Sequence, residues 1–341
     1  MKRTLALGLA AIAFTLVAAP KTEAADDFYK GKTVRIVVGA APVGGYENHS
    51  RIMSRFLGKY IPGNPTVIVQ SMPGAGGVTA TNHMFINAQK DGTEIGLLNR
   101  NSLLSGLLGV EQAKFKLEEF NWLGTTASFS DNAHLFVMRS AVPHKSIEDL
   151  RSDKLPPISV GNSGSALIRA LKEGLELNVK IIEGYQNTDL DAAFERGEID
   201  GHSISYLTMM QRASHWITTG YAKPMIQFGR SDRLPAIKDV PTARELARGS
   251  ENLALIQFTE APLELGYPFT LPPGVPADRV QIIRTAFKST IEDPEYRAEI
   301  EKAKLELTPK YDKEAMSIVE QLNKAPVSAK NRYKALVGDG G

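Results

Sequence analysis

The chain has 341 residues, with 40 Lys and Arg against 38 Asp and Glu, and no cysteine. That length holds two ordinary domains with a core in each. The missing cysteine excludes disulfides, thiolate metal sites, a lipid-bearing cysteine and a cysteine nucleophile, and balanced charge without basic blocks argues against nucleic acid as a partner.

The first 24 residues read as a secretory signal peptide. Lys2 and Arg3 form a basic start, residues 5–19 form an apolar run, and Thr22-Glu23-Ala24 offers small residues where a signal peptidase reads. Cleavage is expected after Ala24. The run is shorter than the roughly 20 apolar residues that span a bilayer. No later segment matches it, so a soluble protein of the bacterial periplasm is expected. Beyond residue 24 the chain carries 37 basic and 37 acidic residues, a net charge of zero.

From Thr33 onward, short β-rich runs alternate with helical stretches. "TVRIVV" (33–38) reads as a buried strand, followed by the turn "GAAPVGG" (39–45). In "YENHSRIMSRFLGKY" (46–60), Ile52, Met53, Phe56, Leu57 and Tyr60 share one helical face. "TVIVQ" (66–70) is the next strand, then the turn "PGAGG" (73–77), a helix from about Val78, and a third strand "EIGLLN" (94–99). Strand, turn and helix repeated in this way predict a parallel, doubly wound sheet. After a crossing segment, "FNWLGTTASF" (120–129), a second set begins. Its strands are expected at 133–138, 157–161, 179–184, 199–204 and 223–229, with helices at 147–151, 166–175, 190–196 and 206–213. Pro276 pre-forms a helix with a core face of Val280, Ile283, Phe287 and Ile291, and helices near 294–304 and 312–323 finish the chain. The expected architecture is two doubly wound α/β domains of the type II binding-protein kind. Domain I comprises residues 25–124 with 250–341, and domain II residues 125–249. Ligands of open α/β sheets sit beyond the carboxyl ends of strands, so the expected site is an interdomain cleft that closes about a hinge.

The turns at 42–45 and 73–77 each follow a strand and precede a helix. Such turns leave backbone N–H groups unpaired at the positive end of a helix dipole, and glycine lets a ligand oxygen approach. One such turn is most simply a tight connection. Two at equivalent ends of adjacent strands point to anion binding. Neither fits a nucleotide motif, and no lysine follows closely, so a carboxylate is favoured over a phosphate. "GNSGS" (161–165) is a third strand-to-helix turn, equally well explained as an N-cap. Tyr185 fits either a cleft hydroxyl or a core aromatic.

No catalytic or metal set is legible. "GNSGS" is out of frame for a nucleophile elbow. His49, His83, His134, His144, His202 and His215 form no metal-ligand spacing. His49 alone draws interest, early in a helix that faces the expected cleft. No cofactor, no metal and no enzymatic activity are expected.

Residues 28–77, "FYKGKTVRIVVGAAPVGGYENHSRIMSRFLGKYIPGNPTVIVQSMPGAGG", resemble the opening of the tripartite tricarboxylate transporter substrate-binding proteins, the Bug or TctC-like receptors. "KDGTEIGLLN" (90–99), "GYQNTDLDAAFERGEIDG" (184–201), "RLPAIKDVPTARELA" (233–247) and "TLPPGVPADR" (270–279) resemble later stretches in the same order. The resemblance implies two α/β domains that close on a small organic carboxylate, with one carboxyl group held by backbone amides of the two glycine turns and ordered waters. Carried onto this chain, the clamp is Pro42, Val43, Gly44, Gly45 and Tyr46 with Gly74, Ala75, Gly76, Gly77 and Val78. Asn99, Asn162, Ser163, Gly164, Ser165, Tyr185 and Asn187 complete the candidate set. Val43 stands where the family has glycine, Glu47 where it has aspartate, and Ala193 where many members have aspartate, so ligand type does not transfer. The leading expectation is a monomeric periplasmic receptor that delivers a carboxylate to the membrane subunits of a secondary transporter. A receptor feeding a sensor kinase is the alternative, and a periplasmic enzyme acting on a carboxylated substrate is the weaker one.

Overall fold

The computed structural model describes residues 28–162, 166–185 and 187–337. The expected signal peptide and the candidates Ser163, Gly164 and Ser165 lie outside the described residues, as does the side chain of Asn187.

Among the described residues the strands are, in chain order, β1 (Thr33–Val38), β2 (Thr66–Ser71), β3 (Glu94–Leu97), β4 (Asn121–Thr125), β5 (His134–Arg139), β6 (Ile158–Gly161), β7 (Val179–Ile182), β8 (Gly201–Ser205), β9 (Ala222–Phe228), β10 (Pro268–Leu271) and β11 (Lys310–Tyr311). They form two sheets, ordered β11-β4-β10-β3-β1-β2 and β7-β6-β8-β5-β9. In the first, β1 runs parallel to β2 and β3. In the second, β6 runs parallel to β7 and β8. The sheets are mixed rather than wholly parallel, because β10 is antiparallel to β3 and β4, and β5 to β8 and β9. The physical reason is connectivity. The chain leaves the carboxyl end of β4, crosses to the second sheet and enters β5 from that same edge, so β5 runs backwards. It returns in the same manner into β10.

Helices cover both faces of each sheet. In β1, Val34, Ile36 and Val38 pack beneath the helices Gly44–Tyr60 and Ala277–Glu292, while Val37 packs into the cluster on the other face. Burial on both faces is why β1 reads as a continuous apolar run. Each such fully buried side chain contributes roughly 1.5–3 kcal/mol.

Among the described residues, three helices of eight or more residues were not legible in the sequence, Arg100–Leu107 being the first. Gly249–Leu265 is apolar nearly all round, and it is buried accordingly. Its Phe258 and Leu265 belong to a core cluster of the first sheet, and its Ile256 and Leu263 to one of the second. Val327–Val337 carries Tyr333, which packs edge-on against Phe258 with ring centroids 5.4 Å apart. Around "PGAGG" the expected helix breaks into a 3-10 turn, Ala75–Gly77, a short α-helix, Val78–Asn82, and a π turn, His83–Asn87.

Candidate functional site: a cavity between the two sheets

Both sheets reverse their winding order at one place, between β1 and β3 in the first and between β6 and β8 in the second. Loops leaving such neighbouring strands diverge to opposite faces and open a crevice. A cavity of about 690 Å3 lies where the two crevices meet. The first sheet contributes His49, Arg100 and Asn101, and the second contributes Gly161, Asn162, His202, Ser203 and Ser205. His134 at the start of β5 also lines it, and connecting segments add Phe129, Tyr267 and Glu306.

Arg100 is the first residue of the helix Arg100–Leu107, directly after β3, and Asn99 is its N-cap. A cation at this end of a helix opposes the helix dipole, a cost of about 0.3–1 kcal/mol. Its guanidinium lies 3.4 Å from both the Tyr46 hydroxyl and the Gly266 carbonyl, and 4.9 Å from the centre of the Phe129 ring. No carboxylate of the described residues forms an ion pair with it. The Tyr46 hydroxyl also accepts the Arg100 backbone N–H at 2.9 Å, which fixes where the side chain starts.

The other cavity arginines are paired, while Lys304, also on the lining, is exposed and forms no ion pair among the described residues. Arg169 pairs with Glu183 at 2.8 Å, and Glu183 in turn accepts from Asn162. Arg212 and His202 share Asp191, each at 2.8 Å. Glu306 is the one buried carboxylate on the wall. Its Oε1 accepts from Ser205 at 2.5 Å and from Asn132 at 3.3 Å. Burial pushes its carboxyl above the ordinary carboxylate range, against the pull of Ser205, Arg100 and Asn132.

Four buried polar atoms on cavity residues have no hydrogen-bond partner: His49 Nε2, His134 Nδ1, His202 Nδ1 and Glu306 Oε2. Orphaned polar groups are rare in native interiors, and their convergence on one cavity marks it as a place where a polar molecule docks. Burial lowers the pKa of both His49 and His134 to about 3, so these rings are neutral near pH 7. His49 is further fixed by Thr126, 3.1 Å from Nδ1, and by Tyr267, whose ring lies 4.3 Å away.

The sequence candidates fall around this cavity unevenly. Asn162 lines it. Tyr46 touches Arg100, and Gly45 stands so close to the Tyr267 hydroxyl that no side chain fits between them. Pro42, Val43, Gly44, Gly74, Ala75 and Gly76 are exposed in the turns after β1 and β2, and none of them lines the cavity. The expectation that Gly77 has an unpaired amide is corrected: it donates to the Gly74 carbonyl at 2.9 Å, and Val78 donates to Ala75. The tight 3-10 turn consumes both groups. The side chain of Asn99 accepts from Asn101 at 3.0 Å and serves as a cap. Tyr185 packs against the apolar cluster of the second sheet. Sequence reasoning missed Arg100, His134, His202 and Glu306. The signal for Arg100 was available, since a cation opening a helix right after a buried strand is out of place electrostatically. Nothing local marked Glu306.

Among the described residues no cluster of His, Asp or Glu is placed to hold a metal ion, and no helix is long and apolar enough to cross a membrane. No family profile matches the chain, and no curated relative does. Solved structures do. A TctC solute-binding protein from Polaromonas, without ligand, aligns with a TM-score of 0.66 at 16% identity, covering 91% of this chain and 99% of that one. The periplasmic binding protein BugD aligns at 0.60 and 20% identity, over 90% of this chain and 98% of its own. MatC from Rhodopseudomonas palustris, with bound malate, aligns at 0.58 and 18% identity, over 90% and 99%. All three are binding proteins, and the chain shares their fold, the two-domain periplasmic-binding-protein architecture.

Proposed function

We propose that this chain is a periplasmic receptor that captures a small organic carboxylate between its two sheets and delivers it to a membrane transporter of the tripartite tricarboxylate kind. One observation carries the reading: Arg100 faces a cavity of about 690 Å3 with no carboxylate partner of its own. A planar guanidinium in a partly desolvated site matches a carboxylate in a two-pronged fashion. The bound malate of MatC, and the adipate of another Rhodopseudomonas palustris neighbour, support a carboxylate in a fold of this type. The glycine turns flank the site and act as its rim. The lobes are residues 25–124 with 250–341, and residues 125–249. The molecule is a carrier without catalytic chemistry.

Charge-assisted hydrogen bonds contribute roughly 1.5–3 kcal/mol each, so Arg100→Met is expected to weaken binding of the co-purifying acid about ten- to a hundredfold. The melting temperature stays near native, since the replacement breaks no ion pair. Mass spectrometry of the molecule released on denaturation identifies the acid, and calorimetry measures the loss. A neutral, unionisable co-purifying ligand, or unchanged affinity in a folded Arg100→Met protein, rules the reading out. Export is a separate prediction. Protein recovered from the periplasm is expected to begin at Ala25 on N-terminal sequencing, and material that keeps Met1 refutes it.

A further inference from the structure

We propose that the cavity selects carboxylates that also carry a hydrogen-bond donor, an ammonium or a hydroxyl group, which is received by the open Oε2 of Glu306. The inference rests on the carboxylate reading above and narrows it to amino and hydroxy acids.

Four cavity atoms await partners, and they do not discriminate equally. A neutral imidazole nitrogen either donates or accepts, depending on which ring nitrogen carries the proton. His49 and His134 therefore adapt to whatever polar group arrives, whereas His202 is oriented by its Nε2 contact with the Asp191 carboxylate. An ionised carboxylate only accepts. Glu306 is 8% exposed, and its Oε1 is already occupied by Ser205 and Asn132. Its Oε2 is buried and open. Burial raises its pKa, and these two donors, with Arg100 in the same cavity, pull the other way toward the ionised form.

A plain diacid has only acceptors to offer at neutral pH. Seated on Arg100, it leaves Oε2 unpaired or sets a second carboxylate against it. Leaving a buried charged acceptor unmet forfeits its full desolvation cost. An amino or hydroxy acid has a complementary group for each end: its carboxylate for Arg100, and its N–H or O–H for Glu306. A site built to pair a polar group rejects the analogue that lacks it more strongly than it rejects a missing methylene.

The test is calorimetry on wild type and Glu306→Gln with matched acids: succinate, malate and aspartate, then glutarate, 2-hydroxyglutarate and glutamate. Within a set, wild type is expected to bind a donor-bearing acid at least about tenfold tighter than the parent diacid, which is 1.4 kcal/mol. The amide of Glu306→Gln keeps the shape and can donate, so the ratio is expected to collapse to within about threefold. Should Glu306→Gln not fold, Ser205→Ala leaves the carboxylate with one more open position, and the preference for donors must then rise. A wild type that binds the parent diacid as tightly overturns the proposal. So does Glu306→Gln with the ranking intact, because a protonated Glu306 would then be the working form. Arg100→Met separates the two readings, since it weakens every acid alike and preserves the ranking. If wild type binds none of the acids, the carboxylate reading falls and this proposal falls with it.

Discussion

Gly266 shows how closely the crossing segments approach. Its φ is +49°, and a Cβ there would overlap the Ala127 carbonyl oxygen on the neighbouring crossing. The Gly266 carbonyl lies 3.4 Å from the Arg100 guanidinium, so the same residue touches both a crossing segment and the cavity arginine. Gly266→Ala combines backbone strain of about 1–3 kcal/mol with overpacking of similar size. We expect a stability loss of at least about 2 kcal/mol in urea melts, together with weaker ligand binding. A native-like unfolding midpoint sinks this account. Gly76 is different. Its φ is +61°, but a Cβ there meets open space, so a substitution at Gly76 reports on turn strain and on the rim of the cleft, not on core packing.

At the scale of elements, the helix Gly249–Leu265 joins the two sheets, and a buried acid secures it. Glu260 is 1% exposed. It accepts from the Gly229 backbone N–H at 3.0 Å, just past the end of β9, and pairs with Arg244 at 2.6 Å. Arg244 also reaches Glu264 at 3.0 Å. Removing Glu260 leaves the Gly229 amide without its acceptor and Arg244 with Glu264 alone, a loss of about 1–3 kcal/mol. Glu260→Ala is expected to cost an amount in that range by chemical denaturation, and a loss below about 1 kcal/mol contradicts the structural role given to it. This helix was invisible to pattern reading because amphipathic periodicity records one buried face, and here two opposed faces are buried in different cores.

For the whole molecule, the first crossing between the sheets, from β4 to β5, is short and largely buried. Thr125, Thr126 and Ser128 are fully buried, and Ser128 donates its backbone N–H to the Thr308 carbonyl at 2.8 Å. Such segments permit rotation of one sheet against the other without loss of either core. If residues 25–124 with 250–341 and residues 125–249 act as lobes, ligand held by Arg100 and Glu306 on the first lobe and met by Ser203 and Ser205 on the second favours the closed form. Small-angle scattering is expected to give a smaller radius of gyration with saturating acid than without it. Identical curves for both states discard the hinge.

Much of this was written locally. Periodicity and turn chemistry between Thr33 and Phe228 place nearly every strand within about two residues, because a strand buried on both faces and a glycine turn leave signals in adjacent positions. The same signals led to the expectation that the carboxyl ends of β1, β2 and β3 form the ligand-facing edge, and Arg100, just past β3, does line the cavity. Tertiary structure alone decided what stands in the cavity. Glu306 and Ser205 are 101 residues apart in the chain, and Arg100 and Gly266 are 166 apart. No local pattern encodes such meetings, since they arise only when the chain crosses between the sheets. The glycine turns raised the expectation of an anion held by backbone amides, and the folded turn spends the Gly77 and Val78 amides on itself. The folded chain places beside them an unpaired arginine and a half-paired glutamate, because long-range packing, not local propensity, determines which charges lose their partners.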